Sequence, residues 1–158
     1  MESSGDFGIR ESRFGNRNSG IGIRDEPRTP NFKTVILFDS NFLMMPFQFG
    51  INLDMEMERV FGVYNAIVPT SVVRELEGLA KEGGKDGAAA RGALKLAARY
   101  KTVETPEREA DEALVRLALE NREKRWIVAT NDRYLRRRLA HVTPVLIMRG
   151  KSHLEVVE

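Results

Sequence analysis

Four carboxylate side chains could act together chemically, because the sequence around them predicts that they meet at one edge of a sheet. They are Asp39, Glu75, Asp111 and Asp132. Clustered carboxylates without a cationic partner repel one another, and binding a proton or a cation relieves that repulsion. Oxygen-only ligands suit Mg²⁺ or Mn²⁺, and such an ion activates water and stabilises the anionic transition state of phosphodiester cleavage. The four acids therefore allow a metal-dependent hydrolytic site.

Each acid also has a simpler interpretation. Asp39 could cap the helix that follows it, and Asp132 could be an N-cap beside Asn131. Glu75 could be a surface charge, and Asp111 could interact with the dipole of its own helix. Taken singly, the simpler interpretation is favoured for every acid except Asp39, whereas their shared edge favours a site.

The composition excludes several other kinds of chemistry. The 158-residue chain has no Cys, which rules out disulfides, thiolate metal sites and Cys nucleophiles. Its two histidines, His141 and His153, are too few for a His-rich zinc site. The formal charge of +2 neither requires nor excludes nucleic acid. No apolar run is long enough to cross a bilayer and no apolar signal core precedes the first strand, so we expect a cytoplasmic protein without membrane contact.

Short apolar runs alternate with helical patterns from residue 34 onward. The apolar runs predict strands at 34–39, 65–69, 101–104, 125–130 and 143–148. The helical patterns cover 52–62, 70–82, 86–100, 106–122 and 131–140, with Asn52 and Thr70 as expected N-caps. This alternation predicts an α/β fold with a parallel sheet covered on both sides. Ligands of such sheets gather at the carboxyl ends of the strands, where Asp39 and Asp132 fall.

The pattern divides the chain into one domain, 34–149, and two tails. Residues 1–33 are rich in Gly, Ser, Asn and Arg without a helical or strand period, which predicts a flexible N-terminal tail. The alternative for this segment is an Arg/Gly/Phe arm that contacts RNA. Residues 150–158 are predicted to form a C-terminal tail.

Four segments around the acids resemble the PIN-domain nucleases, and they occur in that family's order. They are ILFDSNFLM, VPTSVVRELEGL, ADEALVRLALE and IVATNDRYLRRRL, and together they span about residues 34–149. The last segment is particularly similar to archaeal PIN proteins and to their eukaryotic relatives in small-subunit ribosomal RNA processing. VapC-type toxins share the same acids. The resemblance implies a three-layer α/β/α sandwich with a central parallel sheet of about five strands.

The resemblance also implies roles for individual residues. The family's acidic quartet, which holds Mg²⁺ or Mn²⁺, corresponds here to Asp39, Glu75, Asp111 and Asp132. Asn41 matches the polar position two after the first acid, and Thr130 matches a hydroxyl position that orients a carboxylate or a water. The implied activity is metal-dependent cleavage of single-stranded RNA, in ribosomal RNA processing or as a toxin. The alternative is a PIN-fold RNA-binding or scaffold subunit, although such a subunit has no need for four mutually repelling acids.

Cations near the acids are candidates for contacts with an RNA backbone. Arg133 is adjacent to Asp132 and is the strongest candidate, followed by Arg136 and Lys85. The simpler interpretation of these cations is a solvated helix face. The partners to be expected besides RNA are a second copy of the chain, an antitoxin or a pre-ribosomal component. The apolar segment 44–50 is equally consistent with such a contact and with core packing.

Overall fold

Twelve helices and strands make up the part of the chain that the computed structural model describes, residues 34–158. In chain order they are β1 (Val35–Phe38), α1 (Ser40–Phe49), α2 (Leu53–Phe61), β2 (Asn65–Pro69), α3 (Thr70–Ala80), α4 (Gly84–Ala97), β3 (Lys101–Val103), α5 (Ala110–Glu120), β4 (Ile127–Ala129), α6 (Arg133–Leu139), β5 (Val145–Arg149) and β6 (His153–Val157). A single 3₁₀ turn, Arg122–Lys124, separates α5 from β4. The predicted N-terminal tail, 1–33, lies outside the described residues.

One six-stranded sheet carries the fold, with the strand order β3-β2-β1-β4-β5-β6. The first five strands in this order run parallel, and β6 pairs antiparallel with β5. Helices flank the sheet, so the predicted three-layer α/β/α architecture is confirmed. The apolar side chains of the central strand β1 are almost completely buried, which explains why VILF is apolar at every position.

The order of the strands creates a switch point beside β1. The chain first builds outward from β1 through β2 to β3, and then returns to place β4 on the other side of β1. At such a point the connections after two adjacent strands leave in opposite directions and open a crevice at their carboxyl ends. Asp39 follows β1 directly, and Thr130 follows β4 directly. This switch point therefore lies where the sequence places Asp39 and Asp132.

The C-terminal tail predicted for residues 150–158 is corrected by the structure, since these residues contain β6. Leu154 is buried in the core, and its main-chain amide and carbonyl are hydrogen-bonded by Glu56 and Arg59 of α2. The strand was missed because it is a short edge strand after the polar residues 150–153, and its pairing with β5 is a tertiary contact. The sheet thus has five parallel strands, as expected, and one antiparallel strand in addition.

The segment after Asp39 forms α1, a helix that the sequence analysis did not identify as a separate element. Pro46 lies inside it, and such a residue normally argues against a helix interior. Met44 and Met45 are buried, whereas Phe47 and Phe49 are exposed, so the segment 44–50 combines core packing with an apolar surface. Gly92 of α4 permits the contact with α1, because a Cβ atom there would lie 2.7 Å from the ring of Phe47.

The boundaries of two other helices differ from those predicted. Thr70 is the first residue of α3, whose N-cap is Pro69, and the Thr70 hydroxyl contacts Thr105 instead of capping the helix. Helix α5 begins at Ala110 and not at residue 106, because the preceding residues form a loop. The predicted cap of α2 is correct, since the Asn52 side chain accepts a hydrogen bond from the amide of Met55. Between residues 34 and 158, none of the helices has the length and apolar character needed to span a membrane.

Candidate active site

Asp39 occupies the carboxyl end of the central strand and is 6% exposed. Its Oδ1 accepts a hydrogen bond from the amide of Ser40 at 2.8 Å, which makes Asp39 the N-cap of α1. Its Oδ2 accepts a hydrogen bond from the Thr130 hydroxyl at 2.6 Å. The simpler interpretation as a helix cap is therefore met in the structure. It does not account for the second oxygen, which is held by Thr130, the residue directly after β4.

The surroundings of Asp39 disfavour its charged form. Burial, the largest effect, raises the pKa of this carboxyl from 3.8 to about 6. That value includes the hydrogen bonds from Thr130 and Ser40, which lower the pKa, and the negative charges of Glu75 and Asp132, which raise it. No cationic side chain among residues 34–158 forms an ion pair with Asp39. A buried carboxylate in an anionic environment requires a proton or a cation.

This shift predicts a pH dependence of the stability of the metal-free protein. The folded state retains the Asp39 proton between about pH 4 and pH 6, a range in which the unfolded chain has lost it. The contribution of Asp39 is therefore most favourable below pH 4 and falls as pH rises through about 6, by at most about 3 kcal/mol. We expect the unfolding free energy of Asp39→Asn, relative to the wild type, to increase over this range in denaturant titrations with EDTA. A difference that stays constant between pH 4 and pH 7 would contradict the prediction.

Glu75 is linked to Asp39 through Ser40, a residue that the sequence analysis did not single out. The buried Ser40 hydroxyl donates a hydrogen bond to Glu75 Oε1 at 2.7 Å, while the amide of the same residue donates to Asp39. Glu75 itself is exposed, on the second turn of α3. A signal was present in the sequence, because a hydroxyl residue directly follows the first acid. Its partner could not be known without the position of α3.

Asp132 is linked to Asp39 through Thr130. The fully buried Thr130 hydroxyl donates to Asp39 and accepts a hydrogen bond from the amide of Asp132 at 3.1 Å. Asp132 Oδ1 accepts from the amides of Tyr134 and Leu135, so Asp132 is also the N-cap of α6. One hydroxyl therefore fixes the first and the fourth acid relative to each other.

Asn131 anchors the same loop to the neighbouring strand. Its side-chain amide donates to the carbonyl of Met148 and accepts from the amide of Met148, which extends the sheet contact by one step beyond β4. The Asn131 side chain thus makes the two hydrogen bonds to Met148 that the backbone of a paired strand residue would make. It holds the Thr130–Asp132 segment in place at the edge of the sheet.

Asp111 is the acid that the structure does not link to the others. It is half-buried in the first turn of α5 and has no hydrogen bond or ion pair with other residues in 34–158. The hydrogen bonds from Arg138 to Glu112 raise the pKa of that guanidinium, and the charge of Asp111 makes a smaller contribution in the same direction. Helix α5 packs against α3 and α6, the helices that carry Glu75 and Asp132. Asp111 therefore lies on a helix that packs beside α3 and α6, without a direct contact to the other three acids.

The remaining candidate residues are all at least partly exposed. Asn41, Lys85 and Arg133 are exposed, and Arg136 is half-buried. None of the four forms an ion pair with other residues in the described range 34–158. Arg138 differs, because its charge is engaged by Glu112. Roles of these residues in binding or catalysis stay predictions.

Similarity to known proteins agrees with this arrangement. The family model described as "PIN like domain" matches residues 35–151. The chain belongs to the PIN-domain family. Ribonuclease VapC4 of Methanocaldococcus jannaschii is 36% identical over 126 residues, which cover 77% of this chain and 95% of that protein. The PIN domain endonuclease Utp24 has a related structure, with a TM-score of 0.65 and 23% identity over 80% of this chain and 92% of that chain, which supports the fold.

In this PIN domain the charges of Glu75 and Asp132 act on Asp39, but the carboxylates are not closed around a common point. Within residues 34–158, no three His, Cys, Asp or Glu side chains are arranged so that they could hold a metal ion together. Ser40, Thr130 and the first amides of α6 each hold one carboxylate oxygen by a hydrogen bond. The other oxygens, Oε2 of Glu75 and Oδ2 of Asp132, accept no hydrogen bond from the described residues. The donor set, carboxylate oxygens alone, fits a hard cation by its chemistry.

Proposed function

We propose that this PIN domain is a divalent-metal-dependent endoribonuclease that hydrolyses phosphodiester bonds of single-stranded RNA. The observation that carries the proposal is the buried carboxylate of Asp39 at the switch point of the sheet. It has the negative charges of Glu75 and Asp132 beside it and no cationic side chain paired with it among residues 34–158. A purely structural site would not place an uncompensated buried charge there, because its desolvation is costly. The ribonuclease name of the 36% identical relative supports RNA as the substrate.

In this proposal, individual residues bind the cation or orient its ligands. Asp39, Glu75 and Asp132 would bind Mg²⁺ or Mn²⁺ through their carboxylate oxygens, and Asp111 would complete the set from α5. When bound, the cation supplies activation of a water molecule and stabilisation of the negative charge that develops on the phosphate. Ser40 and Thr130 would orient the carboxylates of Glu75 and Asp39, each through a hydrogen bond to one carboxylate oxygen. Asn41 would orient a water or a phosphate oxygen from the start of α1.

Helix α6 supports the assignment of a single-stranded substrate. The ring of Tyr134 is 55% exposed two residues after Asp132, and the guanidinium of Arg138 lies over it at 5.7 Å. An exposed aromatic ring next to cations suits unpaired bases, which stack on the ring while the cations contact phosphates. Arg133, Arg136 and Lys85 would supply these contacts, and they give affinity without sequence preference.

The biological setting is proposed from the closer relative. Ribonuclease VapC4 favours a toxin of the VapC type, with an antitoxin as the partner, over a role in ribosomal RNA processing. The exposed Phe47 and Phe49 of α1 would be available for a contact with the antitoxin or with a second copy of the chain. An antitoxin gene next to the gene for this protein would support the toxin role, and its absence would favour RNA processing.

The proposed function is tested by cleavage of matched substrates under controlled metal conditions. We expect the purified chain to cleave a single-stranded RNA in Mg²⁺ or Mn²⁺, and a duplex of the same sequence or the equivalent single-stranded DNA much more slowly. EDTA should abolish cleavage, and excess Mn²⁺ should restore it. A preparation of Asp39→Asn made in parallel controls for contaminating ribonuclease. Undiminished cleavage in EDTA would refute the metal mechanism, and failure to cleave RNA in any metal would favour the scaffold alternative.

A further inference from the structure

A buried network of hydroxyl groups connects the start of α3 to the loop between β3 and α5. Ser71 and Thr105 are almost fully buried. The amide of Ser71 donates to Thr105 Oγ1 at 2.9 Å, and the two hydroxyl oxygens are 2.7 Å apart. The Ser71 hydroxyl donates to the carbonyl of Glu107, so the Thr105 hydroxyl must be the donor between the two. The amide of Thr105 in turn donates to the Thr70 hydroxyl at 2.9 Å.

Arg74 closes this network from the surface. Its Nη2 donates to the carbonyls of Thr105 and Glu107, at 2.8 and 3.1 Å, and lies 3.2 Å from the Ser71 hydroxyl oxygen. We call Ser71, Arg74 and Thr105 the loop clamp. Its hydroxyls and guanidinium hold residues 105–107, in a loop that has no regular secondary structure of its own.

The position of the loop clamp relates it to the acids. Arg74 directly precedes Glu75, and the clamped loop leads directly into α5 and Asp111. Asp111 has no hydrogen bond or ion pair with another described residue, so its location depends on where α5 begins. The start of α5 depends on the loop, which is also held by two hydrogen bonds between Glu107 and Arg116. The loop clamp thus connects the two elements that carry Glu75 and Asp111.

We propose that Ser71, Arg74 and Thr105 are positioning residues that set the separation of Glu75 and Asp111 for cation binding. This inference rests on the proposed function, because it assumes that both acids hold the metal. It explains why α3 begins with two hydroxyl residues of which neither caps its own helix through its side chain. A cap would satisfy one orphan amide of α3, whereas here the hydroxyls are used to fix a second element.

The loop clamp is tested with the same Thr→Val substitution at two positions. One position follows the carboxyl end of β3 and the other precedes the amino end of β5. Thr105→Val removes a clamp hydroxyl. Thr143→Val removes another buried hydroxyl, which donates to the carbonyl of Trp126. Trp126 precedes β4 and Thr143 precedes β5, so this contact lies at the amino ends of the strands, away from the acids. Both variants should melt at lower temperature than the wild type. We expect Thr105→Val to weaken Mn²⁺ binding by about tenfold or more, measured by electron paramagnetic resonance of the free ion, because misplacing ligand-orienting groups typically costs that much. Thr143→Val should bind Mn²⁺ as the wild type does.

Two further variants make the outcome decisive. Thr105→Ser keeps the hydroxyl and should restore Mn²⁺ affinity. Arg74→Gln removes the guanidinium that takes part in the loop clamp. Arg74 is exposed, so this variant should fold even if Thr105→Val does not. Removing a positive charge beside Glu75 would by itself strengthen cation binding, whereas loss of the clamp weakens it. Weaker Mn²⁺ binding by Arg74→Gln therefore supports the loop clamp.

The results that overturn the inference are distinct from those that overturn the proposed function. If the wild type binds Mn²⁺ and both Thr105→Val and Arg74→Gln bind it equally well, the loop clamp has only a structural role. Equal losses of affinity in Thr105→Val and Thr143→Val would also contradict it, because destabilisation alone would then explain the effect. A wild type that binds no Mn²⁺ would overturn the metal site, and the inference with it.

Discussion

Asp39→Asn should lower RNA cleavage by orders of magnitude while leaving the metal-free protein at least as stable as the wild type. The substitution keeps the shape of the side chain but removes the negative charge that would bind the cation, so both ion affinity and activation of water suffer. The amide can keep both local contacts, accepting from the Ser40 amide and donating to Thr130 Oγ1. Stability should hold or rise at pH 7, because burial and the charges of Glu75 and Asp132 disfavour the carboxylate.

Stability and RNA cleavage, measured on one preparation of Asp39→Asn, distinguish a metal-binding role of Asp39 from a purely capping role. Melting temperature in EDTA reports the stability of the metal-free state, and the rate of RNA cleavage in Mn²⁺ reports the site. Asp54→Asn provides a matched control, since Asp54 is a surface carboxylate paired with Arg99 on the outside of α2. If Asp39 were only a structural cap, its replacement would destabilise the fold by about 1 kcal/mol with activity largely retained. An active but destabilised Asp39→Asn protein would refute the proposed site.

Asp132→Asn should also abolish most cleavage, and a comparison with Asp132→Ala separates the two roles of this residue. Asn caps helices about as well as Asp, so Asp132→Asn should keep the hydrogen bonds to the amides of Tyr134 and Leu135. Asp132→Ala loses the cap and should destabilise the protein by about 1 kcal/mol in addition. Both variants lose the carboxylate, so both should lose activity by orders of magnitude.

Denaturant unfolding should show that Asp132→Ala is less stable than Asp132→Asn. Cleavage of the same RNA should show that both variants are equally inactive. Asn52→Ala is the matched control, because Asn52 caps α2 with the same kind of hydrogen bond and lies outside the acidic group. It should lose a similar amount of stability and keep its activity. Activity that follows stability across the three variants would mean that Asp132 acts only through the helix it caps.

Several features of this protein could be predicted from local patterns alone. The five parallel strands and the helices between them follow from apolar runs and helical periodicity, which are properties of neighbouring residues. The candidate acids follow from their places at strand ends and helix starts. The family follows from the spacing of four segments, and it is confirmed by the match to residues 35–151. Local patterns failed at α1, where Pro46 obscures a helix, and at β6, which depends on its pairing with β5.

The hydrogen bonds that connect the acids through hydroxyl groups depend on the tertiary structure alone. Ser40 and Glu75 are 35 residues apart, and Thr130 and Asp39 are 91 residues apart. These pairs meet because β1 lies between β2 and β4, an order that no single segment encodes. The same dependence applies to Ser71 and Thr105, whose hydroxyls pair once α3 packs beside the loop after β3. The sequence by itself predicted which carboxylates form the candidate site, whereas the packing of the elements determined which hydroxyl groups hold them, because a hydrogen bond requires both partners to be brought within about 3 Å.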